Sequence, residues 1–175
     1  MKKVFRCVCA WACSIAGVYA GTIAEDALLR GQGYSARGDY DEAIKEYTKA
    51  IDSDGRNAAA YYGRGLAYHK KGNLSKAIDD YDAAIGNDSR NAEVYFNRGI
   101  AYYYKDDLDR AIADWGKAIE VRPEAPEAYQ KRAFAYYKRE QYDWAWDDVR
   151  QLKKMGFTVD ANFLENLKRY SGKES

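Results

Sequence analysis

The chain has 175 residues, with 28 Lys and Arg against 27 Asp and Glu, for a formal net charge of +1 at pH 7. A balance this close gives no reason to expect nucleic acid or an anionic lipid surface as a partner. Three cysteines and a single histidine, His69, leave few ligands for zinc or copper and little for a nucleophilic site.

The first element is a leader. Lys2, Lys3 and Arg6 make a positive start, and Cys7 to Ala20 is a 14-residue stretch without a charge. Val18-Tyr19-Ala20 offers small or β-branched residues where a signal peptidase reads, so residues 1–20 read as a secretory signal cleaved before Gly21. The stretch is short for a membrane span. An uncleaved anchor is the competing reading, and a lipid-attached Cys13 is disfavoured because Ala10-Trp11-Ala12 is a poor lipobox. Cleavage would remove Cys7, Cys9 and Cys13 together and lower the net charge to −2. The mature chain is then expected to be exported, periplasmic and soluble, without disulfides, thiolate metal sites or a cysteine nucleophile.

After the leader one phrase returns every 34 residues. Arg-Gly stands at Arg30-Gly31, Arg64-Gly65 and Arg98-Gly99, and becomes Arg132-Ala133 in the fourth copy. Tyr34, Tyr68, Tyr102 and Tyr136 follow in register, then Ala43, Ala77, Ala111 and Ala145, then Glu46, Asp80, Asp114 and Asp148. Fixed periods of this length denote stacked helical units, none of which buries its apolar face alone. Each unit reads as two antiparallel helices. In the second copy Ala58 to Lys71 forms one helix, Gly72-Asn73 turns, and Leu74 to Ile85 forms the next. Gly38-Asp39 and Gly72-Asn73 can stop one helix and cap the following one, a signal that weakens to Asp106-Asp107 in the third copy. Tyr61, Gly65 and Tyr68 share one face of a first helix, and Ala77, Tyr81, Ala84 and Ile85 share one face of a second. Pro123 and Pro126 suit the end of one helix and the start of the next. Residues 161–170 read as a last amphipathic helix whose Phe163, Leu164, Leu167 and Tyr170 cover the fourth unit, with Ser171 to Ser175 expected to fray.

These residues resemble the tetratricopeptide repeat. Counting from Ala24, the third copy places Tyr95, Gly99, Tyr102, Ala111, Trp115, Ala118 and Pro123 at the family's positions 4, 8, 11, 20, 24, 27 and 32, a complete match. The first copy has Ala27 at position 4 and Gly55 at 32, the second has Ser89 at 32, and the fourth has Val149, Leu152 and Phe157 at 24, 27 and 32. The resemblance implies an all-α solenoid of four repeats, at residues 24–57, 58–91, 92–125 and 126–159. A capping helix and tail at 160–175 complete it.

Two sets of side chains are candidates for function. Arg30, Arg64, Arg98 and Arg132 form one column, and Glu46, Asp80, Asp114 and Asp148 another. They suit a structural ladder in which each arginine pairs with an acid of its own or a neighbouring repeat; an anion-binding stripe is the alternative. Eleven tyrosines (Tyr34, Tyr40, Tyr47, Tyr61, Tyr68, Tyr81, Tyr95, Tyr102, Tyr129, Tyr136 and Tyr142) occupy packing positions of the repeat, and Tyr170 belongs to the cap. Tyr62, Tyr103, Tyr104 and Tyr137 fall on the first-helix face that lines the concave groove in this family. Leu66, His69, Phe96, Asn97, Ile100, Gln130 and Phe134 share it. An aromatic and aliphatic groove with a few amide and imidazole groups suits a partner peptide. For Leu66, Ile100 and Phe134 the alternative of packing between adjacent first helices stays open.

Some members of the family clamp a chaperone's terminal carboxylate with lysines, asparagines and an arginine at set positions. Here those positions read Leu28, Gln32, Gly63, Glu93 and Asn97, or Tyr62, Leu66, Asn97, Glu127 and Lys131. No carboxylate clamp is expected, since Glu93 or Glu127 would repel one. The sequence shows no phosphate loop, nucleophile elbow or calcium loop, so neither catalysis nor a metal nor another cofactor is expected. The expectation is a non-catalytic module, an adaptor or assembly factor of the cell envelope that binds a protein partner. Self-association of the repeats is the alternative, and an enzyme the least favoured.

Overall fold

Alternation of small and large residues at helical spacing builds this fold one hairpin at a time. The structure, a computed structural model, describes residues 22–173, so the leader lies outside the described residues. Nine helices occupy that span: α1 (22–37), α2 (Tyr40–Ser53), α3 (Ala58–Lys70), α4 (Leu74–Asn87), α5 (Ala92–Tyr104), α6 (Leu108–Val121), α7 (Pro126–Lys138), α8 (Tyr142–Lys154) and α9 (Ala161–Ser171). No strand occurs among the described residues. The chain divides at Asp88–Ser89 into two units, α1–α4 and α5–α9. In the first, α2 packs on α3 and α3 on α4. In the second, each helix from α5 to α8 packs on its successor.

The second helices carry the apolar stripe. Ala43, Tyr47, Ala50 and Ile51 are buried on α2; Ala111, Trp115 and Ala118 on α6; Ala145, Trp146, Val149 and Leu152 on α8. Their spacing of three, four and seven keeps one face inward. Within three of the hairpins a glycine of the first helix lies against the aromatic ring of its partner. A Cβ placed on Gly31 would stand 2.6 Å from the Tyr47 ring, on Gly65 2.8 Å from Tyr81, and on Gly99 2.8 Å from Trp115. Each is too close for a carbon, so glycine is required where the partner is aromatic. In the fourth copy the pair becomes Ala133 and Val149, both fully buried. The side chain gained on one helix is matched by the bulk lost from the other.

Turns follow the same economy of shape. Gly38 and Gly72 adopt φ of +84° and +77°, and the equivalent positions hold Asp106 at +60° and Glu140 at +59°. The left-handed turn therefore persists after its glycine is gone, at a backbone cost that packing on both sides must offset. Side-chain caps come from Asn57, Asn73, Asn91, Asp107 and Asp160. Asp39 makes none; its carboxylate faces Arg37 instead, at 3.4 Å.

Helix ends also differ from the sequence reading: α3 closes at Lys70, one residue before the expected Lys71. Helix α4 continues past Ile85 to Asn87, because Asn87 Nδ2 donates to the Ala83 carbonyl and the Asp88 N–H closes the last turn on Ala84. Ser171 is not frayed. It completes α9, and its Oγ accepts a 3.0 Å hydrogen bond from the indole of Trp146, a ring only 1% exposed whose N–H needs an acceptor.

Candidate interaction surface

The arginine column sits on the first helices, and three of its members reach the acids of their own repeats. Arg64 meets Asp80 through Nε–Oδ2 at 2.9 Å and Nη2–Oδ1 at 2.8 Å. Arg98 meets Asp114 at 2.8 and 2.6 Å, and Arg132 meets Asp148 at 2.9 and 2.7 Å. Each is a two-pronged contact of the kind that matches a planar guanidinium to a carboxylate. All three acids are buried. Rings flank the guanidiniums: Tyr61 lies 5.7 Å from Arg64, Tyr95 and Tyr102 lie 5.7 and 6.0 Å from Arg98, and Tyr129 and Tyr136 lie 5.7 and 5.8 Å from Arg132. Arg64 also donates to Thr48 of the preceding hairpin. The hydrogen bonds it donates to Asp80 raise the Arg64 pKa above its ordinary value. Burial raises the Asp148 carboxyl against the Arg132 hydrogen bonds. Arg132 is desolvated too, yet ends above its ordinary value through those same bonds. Two short parallel contacts are the geometry of a charged pair.

The first repeat departs from this pattern. Arg30 pairs with Asp26 on its own helix, both groups largely exposed, and Glu46 pairs with Lys49. Position 46 carries a glutamate where the later copies have the shorter aspartate, and no Arg30–Glu46 pair forms. A second column, which the sequence reading missed, is basic and links neighbouring hairpins. Lys71 reaches Asp41, Arg139 reaches Asp109, and Lys173 reaches Asp143. The 34-residue spacing from Arg139 to Lys173 was the available signal, and it extends the repeat register into the tail.

The groove candidates fall into both units. In the first, Tyr62 is half-buried with its ring 6.1 Å from Tyr81, and Leu66 and His69 are half-buried beside it. His69 Nδ1 lies 3.4 Å from the Tyr81 hydroxyl. Burial, then the charge of Lys70, lowers the imidazole pKa. In the second unit Tyr103 is half-buried, its ring 6.0 Å from Trp115, and Lys138 Nζ lies 4.7 Å from the ring centre. Tyr104 is 68% exposed and Phe134 44%. Tyr137 is taken up by the cap, within 5.6 Å of Phe163 and 6.1 Å of Tyr170; Phe134 also faces Phe163, at 5.4 Å.

Among the hollows of this unit, two take in groove candidates. One, of about 330 Å³, brings together Tyr103, Gln130 and Phe134 with Trp115, Lys131, Leu152, Val159, Asp160 and Phe163. The other, of about 490 Å³, brings Phe96 and Asn97 together with Glu93, Arg122, Glu124 and Glu127. Ile100, Tyr104 and Tyr137 line neither. Glu93, Glu127 and Lys131 entered the sequence reading only at the clamp positions, where they spoke against a carboxylate; Arg122 and Glu124 were not among its candidates. Phe163 was read only as a cap residue, yet it walls the first hollow. Among the described residues no cluster of three or more His, Cys, Asp or Glu could hold a metal ion.

Against known proteins, the family models described as "Tetratricopeptide repeat" and "TPR repeat" match residues 28–92 and 101–139. The chain is a tetratricopeptide-repeat protein. Its hairpins match the crystal structure of MamA with a TM-score of 0.69 and 27% identity, over 86% of this chain and 81% of that one. The first tetratricopeptide domain of Spaghetti (RPAP3), bound to the HSP90 peptide SRMEEVD, matches at 27% identity and a TM-score of 0.65, over 67% of this chain and 93% of that one. The second tetratricopeptide domain of human RPAP3, in complex with the HSP70 peptide SGPTIEEVD, matches at 28% identity and a TM-score of 0.64, over 66% and 97%. No curated protein matches. Among the described residues of this tetratricopeptide-repeat protein, no helix is long and apolar enough to cross a membrane.

Proposed function

We propose that this protein is a non-catalytic docking module which receives an extended segment of a partner protein on the first-helix face of α5 and α7. The observation that carries the reading is the cleft over Phe134, where exposed aromatic surface converges with the amide of Gln130 instead of being spent on the hairpin interior. A concave apolar site with few polar groups is how peptide anchors are held. The tetratricopeptide domains of RPAP3 bound to chaperone peptides support the mode of binding. They do not fix the ligand, because the residues at the family's clamp positions here are not a clamp. The leader at residues 1–20 supports work outside the cytoplasm, as an adaptor or assembly factor of the cell envelope. N-terminal sequencing of the protein from the soluble envelope fraction should begin at Gly21; an intact Met1 terminus in membranes would overturn that part.

The docking reading is tested by affinity capture from the exported compartment, comparing the native chain with the pair Phe96→Ala and Phe134→Ala. Capture should fall while circular dichroism stays unchanged, each anchor costing more than about 1 kcal/mol of binding. An unchanged set of captured proteins would mean that this face is not the binding surface. Tyr103→Ala is less clean, because its ring supports Trp115 and its loss should lower the melting temperature as well.

A further inference from the structure

Both hollows are lined by α7, one by its start and one by its middle, and they differ in charge. The hollow at the start of α7 is rimmed by Glu93, Glu124 and Glu127, with Arg122 the one cation in its lining. Arg122 lies 3.8 Å from Glu93, at the outer limit of an ion pair. Glu124 and Glu127 are exposed and form no ion pair among the described residues. With Arg122 facing Glu93, the exposed carboxylates of Glu124 and Glu127 leave this rim negative. The cleft over Phe134 is apolar within and carries Lys131 on its edge. Its acid, Asp160, is committed to capping α9 through a 2.8 Å hydrogen bond from the Phe163 N–H.

We propose, resting on the docking reading above, that this face selects a partner segment with a bulky apolar residue and, about three positions away, a lysine or arginine. The apolar side chain enters the cleft over Phe134, and the basic one lies against Glu124 and Glu127. Spacing follows from the helix beneath. From Glu127 to Phe134 is seven residues of α7, roughly 10 Å at 1.5 Å per residue. An extended chain advances about 3.3 Å per residue, so roughly three residues cover that distance. Lys131 sets the register, since a basic residue placed beside the apolar anchor would meet a like charge, and such contacts discriminate between partners.

The test uses the full chain and three fluorescein-labelled peptides with a Gly-Ser frame. The first carries Phe and, three residues on, Lys; the second replaces that Lys with Glu; the third replaces the Phe with Ala. Each is also made with the two residues in reversed order, because either chain direction could be used. Fluorescence anisotropy is read at low and at moderate salt. The Phe–Lys peptide should bind at least tenfold more tightly than the Phe–Glu peptide at low salt, with the margin shrinking as salt is added. Glu124→Gln combined with Glu127→Gln should erase that margin without weakening the Phe–Glu peptide. Equal binding of the Phe–Lys and Phe–Glu peptides, lost for both with Phe134→Ala, would overturn the charge selection and leave the docking reading standing. Absence of binding by any peptide, or binding indifferent to Phe134→Ala, would overturn both.

Discussion

A buried acid is tolerable in this protein because an arginine sits on it. Asp114 is 5% exposed and held by Arg98 through two hydrogen bonds, so removing Arg98 takes the two-pronged charged partner from a buried carboxylate. We predict that Arg98→Ala costs about 3 kcal/mol or more in urea unfolding, well above a solvent-exposed charge. Replacing both partners by apolar residues should recover much of that loss, since the penalty belongs to the orphaned charge and not to the missing pair. A single-mutant cost below about 1 kcal/mol would show that the pair is ornamental and would reopen the arginines to an anion-binding role.

Histidine 69 makes a prediction of the opposite kind. Its folded pKa lies below the ordinary value of 6.5 because burial, and then Lys70, disfavours the imidazolium. The unfolded chain therefore binds this proton more readily than the folded one. The stability that neutral His69 contributes is complete above the unfolded pKa and is lost as pH falls through the folded one. Melting temperatures at pH 7.5 and pH 5 should show a fall in the native chain that is smaller in His69→Gln. An equal fall in both would place the acid sensitivity elsewhere.

At the scale of the helical hairpin, the controlling contact is a missing Cβ. Gly99 leaves room for Trp115, whose indole N–H donates to the Phe96 carbonyl at 3.2 Å and whose ring is 1% exposed. A methyl group at 99 would stand 2.8 Å from a ring that has nowhere to go. Gly99→Ala should cost about 1–3 kcal/mol despite its better helix propensity. The fourth hairpin supplies the remedy, for there Ala133 is paired with Val149. Trp115→Val should be destabilising alone, yet less so in the presence of Gly99→Ala, giving a favourable coupling in a double-mutant cycle. Additive effects would show that the hairpin relaxes around the methyl and that the glycine is dispensable.

At the scale of the whole molecule, the closing element of the second unit matters most. Helix α9 covers α8: Leu167 is fully buried, and Trp146, Val149, Leu152 and Val159 join it in one cluster with Phe163 and Leu164 against it. Ending the chain after Thr158 would uncover these side chains, each worth about 1.5–3 kcal/mol when buried. The truncated protein should lose cooperativity in the second unit or aggregate, and the cleft over Phe134 would lose its Phe163 wall. A melting temperature within a degree or two of the native value would mean that the cap is optional.

The sequence by itself determined the repeat. A 34-residue period carried by small, aromatic and acidic residues settled helix type, hairpin pairing and the all-α class, because helical spacing leaves an imprint wherever one face must be buried. It also placed the arginine and acidic columns in one register. Only the tertiary structure decided which acid each arginine takes, because pairing across a hairpin depends on side-chain reach: aspartate at 80, 114 and 148 is met by its arginine, and glutamate at 46 is not. It alone showed Tyr137 committed to the cap and Phe134 still half open beside Phe163. Exposure is settled by what the neighbouring helix covers, and no periodicity within one helix records that. The same holds for the acids around Phe96: Glu93 becomes part of one rim with Glu124 and Glu127 only when the ends of α5, α6 and α7 are brought together.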